Sequence, residues 1–135
     1  MAKTSVKSNA QIVRENYAAF NQGDVEAVMA TMADDIEWIE PEGTPYGGVY
    51  RTPEAVLENA FGPVMEDIEA FRIDTDRFID GGDTIVVLGT FHGTSKESDK
   101  RLDVPFAHIC DLEDGKISRF VNHTNTLLWQ QTVEA

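Results

Sequence analysis

The chain has 135 residues, 41% of them hydrophobic and 26% charged, the size and composition of one globular domain that can bury a core. Twenty-four acidic against eleven basic residues leave a formal net charge of −13, which repels nucleic acid and anionic membrane surfaces, so neither is expected as a partner. No apolar run is long enough to cross a bilayer, the start lacks the apolar core of a secretory signal, and a lone cysteine forms no internal disulfide; the expectation is a cytoplasmic protein with no metal centre.

Residues 1–7 read as a loose polar lead. Ser8 can cap a first helix in which Ile12, Val13, Asn16, Tyr17 and Phe20 recur at three- and four-residue spacing, and Gly23 ends it. Asn16 is the polar member of that stripe and needs either a neighbouring loop or a solvated cavity. Asp24 caps a short second helix with Val25, Val28, Met29 and Met32, closed by Asp34-Asp35.

The stretch from Ile36 to Gly43 reads as a strand running into a turn. Side chains alternate along a strand, so Ile36, Trp38 and Glu40 share one face. Glu40 is then either a solvated carboxylate at a strand end or an acid in apolar company. In the second case burial raises its pKa and lets it exchange a proton near neutral pH. Gly43, Pro45, Gly47 and Gly48 form a tight loop around Tyr46, followed by the short extended piece Val49-Tyr50.

Thr52-Pro53-Glu54 starts a third helix, carrying Val56, Leu57, Ala60 and Phe61, with a break or kink at Gly62-Pro63. From Ile68 the period changes to two. Phe71, Ile73 and Thr75 alternate, and Asp80-Gly81-Gly82-Asp83 turns into the apolar strand Thr84–Phe91. A polar turn at 95–100 precedes a strand whose alternate residues are Leu102, Val104, Phe106, His108, Cys110 and Leu112. A further turn at 113–116 leads to a last strand, 117–126. Helices followed by an antiparallel meander predict an α+β domain spanning 1–135, its core about 9–130, with a pocket between helices and curved sheet.

Three polar residues fall on inward faces: Asn16, Glu40 and His108. A histidine in an apolar row is either a satisfied core residue or one half of a proton-transfer pair. On the last strand either Asn122 or His123 faces the pocket, depending on register. Cys110 reads as a small buried apolar residue, and His92 as solvent-facing without a role. Phosphate-loop, dinucleotide, serine-hydrolase and zinc-protease motifs are all missing from the sequence.

The segments Tyr17–Ala27, Ala33–Trp38, Gly47-Gly48 with the Pro53 helix, and Phe106-Ala107-His108 before Asp114-Gly115-Lys116-Ile117 together resemble the SnoaL-like polyketide cyclases. Those belong to the nuclear transport factor 2-like superfamily, which also holds ketosteroid isomerase. The resemblance implies a cone-shaped, cystatin-like fold, with three N-terminal helices on a strongly bent antiparallel sheet, an apolar pocket and a homodimer formed through the sheet. It places Glu40 at the isomerase's general-base position, His108 at its oxyanion-hole acid and Asn16 at its oxyanion-hole tyrosine, with Tyr17 one step off register. Asn16 and His108 differ from the isomerase residues, so steroid isomerisation itself is not implied.

The resulting expectation is a cofactor-independent isomerase, cyclase or dehydratase acting on a small hydrophobic carbonyl compound. Glu40 is its base and His108 its acid or oxyanion donor. Asn16 and Asn122 orient the ligand, and Phe20, Trp38 and Phe106 form the apolar wall. The alternative is a non-catalytic ligand-binding or scaffold domain of the same fold, with epoxide hydrolysis third.

Overall fold

The computed structural model describes residues 7–133; most of the expected polar lead, residues 1–6, lies outside the described residues. Helix α1 (Asn9–Asn21) starts where the Ser8 hydroxyl accepts from the Gln11 N–H, and it buries Val13, Tyr17 and Phe20. Gly23, at φ 77°, turns the chain out of it, a left-handed conformation that costs glycine little. Helix α2 (Val25–Ala30) is capped by the Asp24 carboxylate, which accepts from the Ala27 N–H.

Strand β1 (Met32–Glu40) begins earlier than expected. Met32 pairs with Ile117 as the first residue of the strand rather than closing α2, and the exposed Asp34-Asp35 pair sits where the register shifts before Glu37. An irregular ladder lets two adjacent acids face water inside a strand. Strand β2 (Gly48–Tyr50) pairs antiparallel with the end of β1.

The third helical stretch continues past the proline instead of breaking there. Helix α3 (Pro53–Val56) is capped by the Thr52 hydroxyl, widens into a π-helical turn (Leu57–Phe61) and resumes as α4 (Gly62–Asp67). Pro63 has no N–H, and its ring crowds the carbonyl four residues back; the widened turn, closed by the Gly62 N–H on the Leu57 carbonyl, absorbs that misfit. The extra residue also brings Ala60 and Phe61 in succession to the buried side, with Val56 and Val64.

Strands β3 (Ile68–Asp80), β4 (Thr84–Ser95), β5 (Arg101–Glu113) and β6 (Lys116–Thr124) form the meander. The sheet order is β2-β1-β6-β5-β4-β3. Every ladder among the described residues is antiparallel but one: β1 runs parallel to β6. Register shifts break the β3–β4 ladder at two places, and Ala70 there takes a positive φ. Such bulges bend long strands.

The chain's end was not legible as helix. Strand β6 stops at Thr124, and helix α5 (Thr126–Val133) follows, with the Asn125 side chain accepting from the Leu128 N–H. Trp129 and Val133 are buried, and Gln130 donates to the Gly43 carbonyl at 2.7 Å. This helix closes one end of the sheet over the loop around Tyr46. Among the described residues, no helix is long and apolar enough to cross a membrane.

Candidate functional site

The inward row of β5 is buried as periodicity requires, from Leu102 through His108 to Leu112. It lies across the concave face beneath α1, and between them is a cavity of about 60 Å³. The chain has seven Phe, three Tyr and two Trp; all of them except Tyr50, Phe78 and Phe106 line this cavity. An aromatic wall of that kind has a low local dielectric, so the few polar groups on it interact strongly with one another.

Four such groups form a chain across three strands and a helix. Glu40, at the end of β1, accepts from the Trp38 indole N–H at 2.7 Å and from the Asn122 amide at 2.9 Å. Asn122 on β6 stands opposite His108 on β5. His108 Nδ1 lies 2.5 Å from the Tyr17 hydroxyl on α1. Trp38 is held by stacking on Phe120, ring centroids 3.7 Å apart, and His108 by stacking on Phe106 at 3.9 Å. Buried aromatic pairs contribute about 0.5–1.5 kcal/mol each beyond their burial, which fixes both polar groups against rigid planes.

The electrostatics follow from burial. Glu40 keeps some surface at the strand end, but desolvation raises its carboxyl above the ordinary range, opposed by the Asn122 and Trp38 donors. No basic side chain offsets that rise. Burial lowers His108 to about 3, so its imidazole is neutral at pH 7. Burial keeps the Tyr17 phenol protonated, and the thiol of Cys110 beside it is pushed up to about 12. Cys110 is thus a protonated, buried thiol and not a nucleophile. A Tyr17 O–H that donates to Nδ1 leaves the single proton of the neutral His108 ring on Nε2.

His108 Nε2 and Asn122 Oδ1 are both buried and make no hydrogen bond, although the Asn122 amide is near enough to favour protonation of the ring. A donor and an acceptor left open on the wall of one cavity form a place for a ligand oxygen or a water.

The cavity brings together six of the expected site residues: Asn16, Phe20, Trp38, Glu40, His108 and Asn122. Asn122 faces inward, while His123 is exposed on the other side of the sheet. Asn16 lines the cavity but donates to the Thr31 hydroxyl at 2.7 Å. Phe106 is a correction. It lies behind His108 and off the cavity, because its β4 partner Gly89 leaves room for the ring to lie flat on the sheet. A Cβ at Gly89 would stand 2.7 Å from that ring. His92 lies on the outer face, as expected, though only 21% exposed, between Asp74 at 3.1 Å and Asp103 at 3.3 Å.

Reasoning from sequence missed Tyr17 as the partner of His108, and also Tyr46, Phe71, Phe91 and Trp129 on the wall. Tyr17 carried a signal: it is the aromatic member of the buried stripe of α1 and carries a hydroxyl that has to be satisfied. Among the described residues, no group of His, Cys, Asp and Glu is placed to hold a metal ion.

Residues 13–120 match the SnoaL-like domain family. A nuclear transport factor 2-like protein from Burkholderia thailandensis is 34% identical, with 94% of this chain and 98% of that one aligned and a TM-score of 0.90. TerC, co-crystallised with polyporic acid, is 28% identical over 94% of this chain and 98% of its own, with a TM-score of 0.85. A cystatin-like protein of unknown function from Xanthomonas campestris shares the fold at 22% identity, covering 91% and 98%, with a TM-score of 0.80. No curated protein matches the chain.

Proposed function

Since the chain belongs to the SnoaL-like domain family, which holds isomerases and polyketide cyclases, we propose that it is an acid/base enzyme working without a cofactor on a small hydrophobic carbonyl compound. The observation that carries this reading is one cavity with a half-buried carboxylate on one wall and an imidazole nitrogen without a hydrogen-bond partner on another.

The carbonyl oxygen of the substrate takes the open Nε2–H of His108, and Glu40 removes a proton from the adjacent carbon. A neutral imidazole donating from an apolar site stabilises the developing enolate oxygen without itself becoming a strong acid. In this reading Tyr17 donates to Nδ1 and so holds the ring in the tautomer with Nε2 protonated, and Asn122, opposite His108 on the neighbouring strand, holds the Glu40 carboxylate. Reprotonation at another carbon gives isomerisation; attack of the enolate on a second carbonyl gives aldol cyclisation, and loss of a β-hydroxyl gives dehydration.

Size narrows the substrate. About 60 Å³ is under half of the ~150 Å³ that holds benzene, so the cavity takes a small ketone, or the reacting end of a larger one after Phe71 moves. Phe71 is the half-buried ring of the wall. TerC's co-crystal with polyporic acid supports an organic ligand in this fold.

The partner in this reading is a second copy of the chain. The outer face of the sheet carries a cross-strand row, Val49–Ile39–Val121–Ile109–Val86–Ile79, spanning all six strands. Its ends, Val49 and Ile79, are 48% and 41% exposed. A continuous branched aliphatic row on a sheet face is self-complementary under two-fold symmetry.

The test is a panel of enolisable ketones, epoxides and polyketide mimics assayed with the wild type and Glu40→Gln. Turnover that falls about a hundredfold or more in the variant supports the reading; equal turnover removes Glu40 from the mechanism.

A further inference from the structure

Glu40 is an acid with no cation. Its two oxygens take neutral N–H donors, from Trp38 and Asn122, and the groups that act on it include no Lys, Arg or protonated His. His108, on the wall of the same cavity, is neutral, and the Tyr17 and Tyr50 phenols, on which the Glu40 charge acts, are held protonated by burial. When the carboxylate is ionised, its charge faces a small chamber of aromatic rings and, among the described residues, has neutral donors but no cationic partner.

Aromatic faces carry negative potential and attract cations, more strongly when both are desolvated. Trp38, Phe61, Phe71, Phe91 and Trp129 line the chamber together with Glu40. A compact organic cation meets both demands, with an N–H for the carboxylate and methyl groups, which share the positive charge, for the rings. Inorganic cations fit poorly, because among the described residues no group of His, Cys, Asp and Glu is placed to hold a metal ion and Glu40 is the one carboxylate on this wall. Lysine-like chains are too long for about 60 Å³, a volume that suits a few non-hydrogen atoms. The formal charge of −13 raises the local concentration of any cation at the surface.

We propose that the Glu40 cavity is a binding site for small methylated ammonium ions, with the carboxylate accepting the ammonium N–H and the surrounding rings holding the methyl groups. The proposal shares Glu40 with the catalytic reading but requires no turnover, so either can fail alone. It adds a linked proton. Where Glu40 is protonated in the empty protein, an arriving ammonium ion favours the ionised carboxylate, and the carboxyl proton is released to solvent. The affinity therefore rises with pH through the titration of Glu40 and falls again once the amine loses its own proton.

The experiment is calorimetric titration of the full chain with dimethylammonium and trimethylammonium chloride. Isopropanol serves as the neutral probe of similar size, and two buffers of different ionisation enthalpy reveal proton release. The expected result is saturable, millimolar or tighter binding of the ammonium ions with release of protons, at least about tenfold stronger than isopropanol. Glu40→Gln, shown folded by circular dichroism, weakens the ammonium ions by about tenfold or more and leaves isopropanol unchanged. Phe71→Leu weakens the ammonium ions more than isopropanol. No saturable binding by the wild type, or equal binding by wild type and Glu40→Gln, overturns the proposal. Ammonium binding without turnover on any ketone defeats the catalytic reading alone, and turnover without ammonium binding defeats this proposal alone.

Discussion

Tyr17→Phe isolates the contact that sets the tautomer of His108. The substitution keeps the ring, and with it the stacking on His108 at 5.9 Å and on Phe106 at 6.5 Å and the edge contact with Phe78 at 6.0 Å. Only the hydroxyl is lost, together with its 2.5 Å contact to Nδ1. His108 is 2% exposed, out of reach of bulk solvent, and Nδ1 becomes a buried acceptor without a protein partner. Such a group costs about 1–3 kcal/mol. For a domain of this length that corresponds to a fall in Tm of roughly 3–15 °C. Urea unfolding at one fixed protein concentration measures the loss, and ¹⁵N spectra of the ring report the tautomer. The wild type shows the proton on Nε2; the variant shows the two tautomers mixed or reversed. A stability loss under about 0.5 kcal/mol with unchanged ring shifts would refute the assignment of Tyr17 as the orienting donor.

Acid stability depends on the same imidazole. Its native pKa, about 3, lies below the ordinary 6.5, so between those values the unfolded chain binds a proton that the native chain refuses. Stability falls with decreasing pH across that window by up to about 1.4 kcal/mol per unit more in the wild type than in His108→Gln; parallel slopes would show that His108 titrates normally. Glu40 acts in the opposite sense, because its native pKa is raised. Its contribution is present below the unfolded value and lost as pH rises through the folded one, and it is common to both proteins. Trp38→Phe removes one donor from the Glu40 carboxylate, so the acid limb of any activity profile moves to higher pH, read from kcat/KM; an unmoved limb separates Trp38 from Glu40. Gly89→Ala places a Cβ 2.1 Å from the Asp74 carbonyl and 2.7 Å from the Phe106 ring, which costs about 1–3 kcal/mol in thermal or urea unfolding; wild-type stability would show that β3 yields freely there. Val86→Lys puts a charge within the outer apolar row and converts a dimer to a monomer in light scattering, whereas a wild-type monomer would refute the partner assignment.

Periodicity made the β5 row legible because a buried strand leaves no choice of residue: six alternate side chains had to be inward, and His108 stood out among them. The Glu40 environment was half-legible. Alternation placed it with Ile36 and Trp38, but its burial depends on Asn122, some eighty residues later, and on rings from α1, the π-helical turn and α5. The parallel β1–β6 pairing leaves no local mark, since it is a relation between distant segments. Helix α5 was hidden because Thr126, Leu127 and Leu128 continue a strand as readily as they begin a helix; the discriminating residue was Asn125, whose side chain caps it. The π-helical turn was read as a kink because Pro63 announces an interruption without saying which geometry absorbs it. Phe106 went astray for a related reason: its direction was right, but the space beside it was set by Gly89 on the neighbouring strand.

The most direct test of the acid/base account is exchange of the α-protons of a small ketone in D₂O, followed by ¹H NMR, because it reads proton abstraction whatever the final product. The account predicts exchange by the wild type that rises as Glu40 ionises and levels off above its raised pKa. It also predicts a fall of about a hundredfold or more in Glu40→Gln, and a smaller fall in His108→Gln, where an amide N–H still reaches the oxygen. Exchange at the same rate in wild type and Glu40→Gln would contradict it.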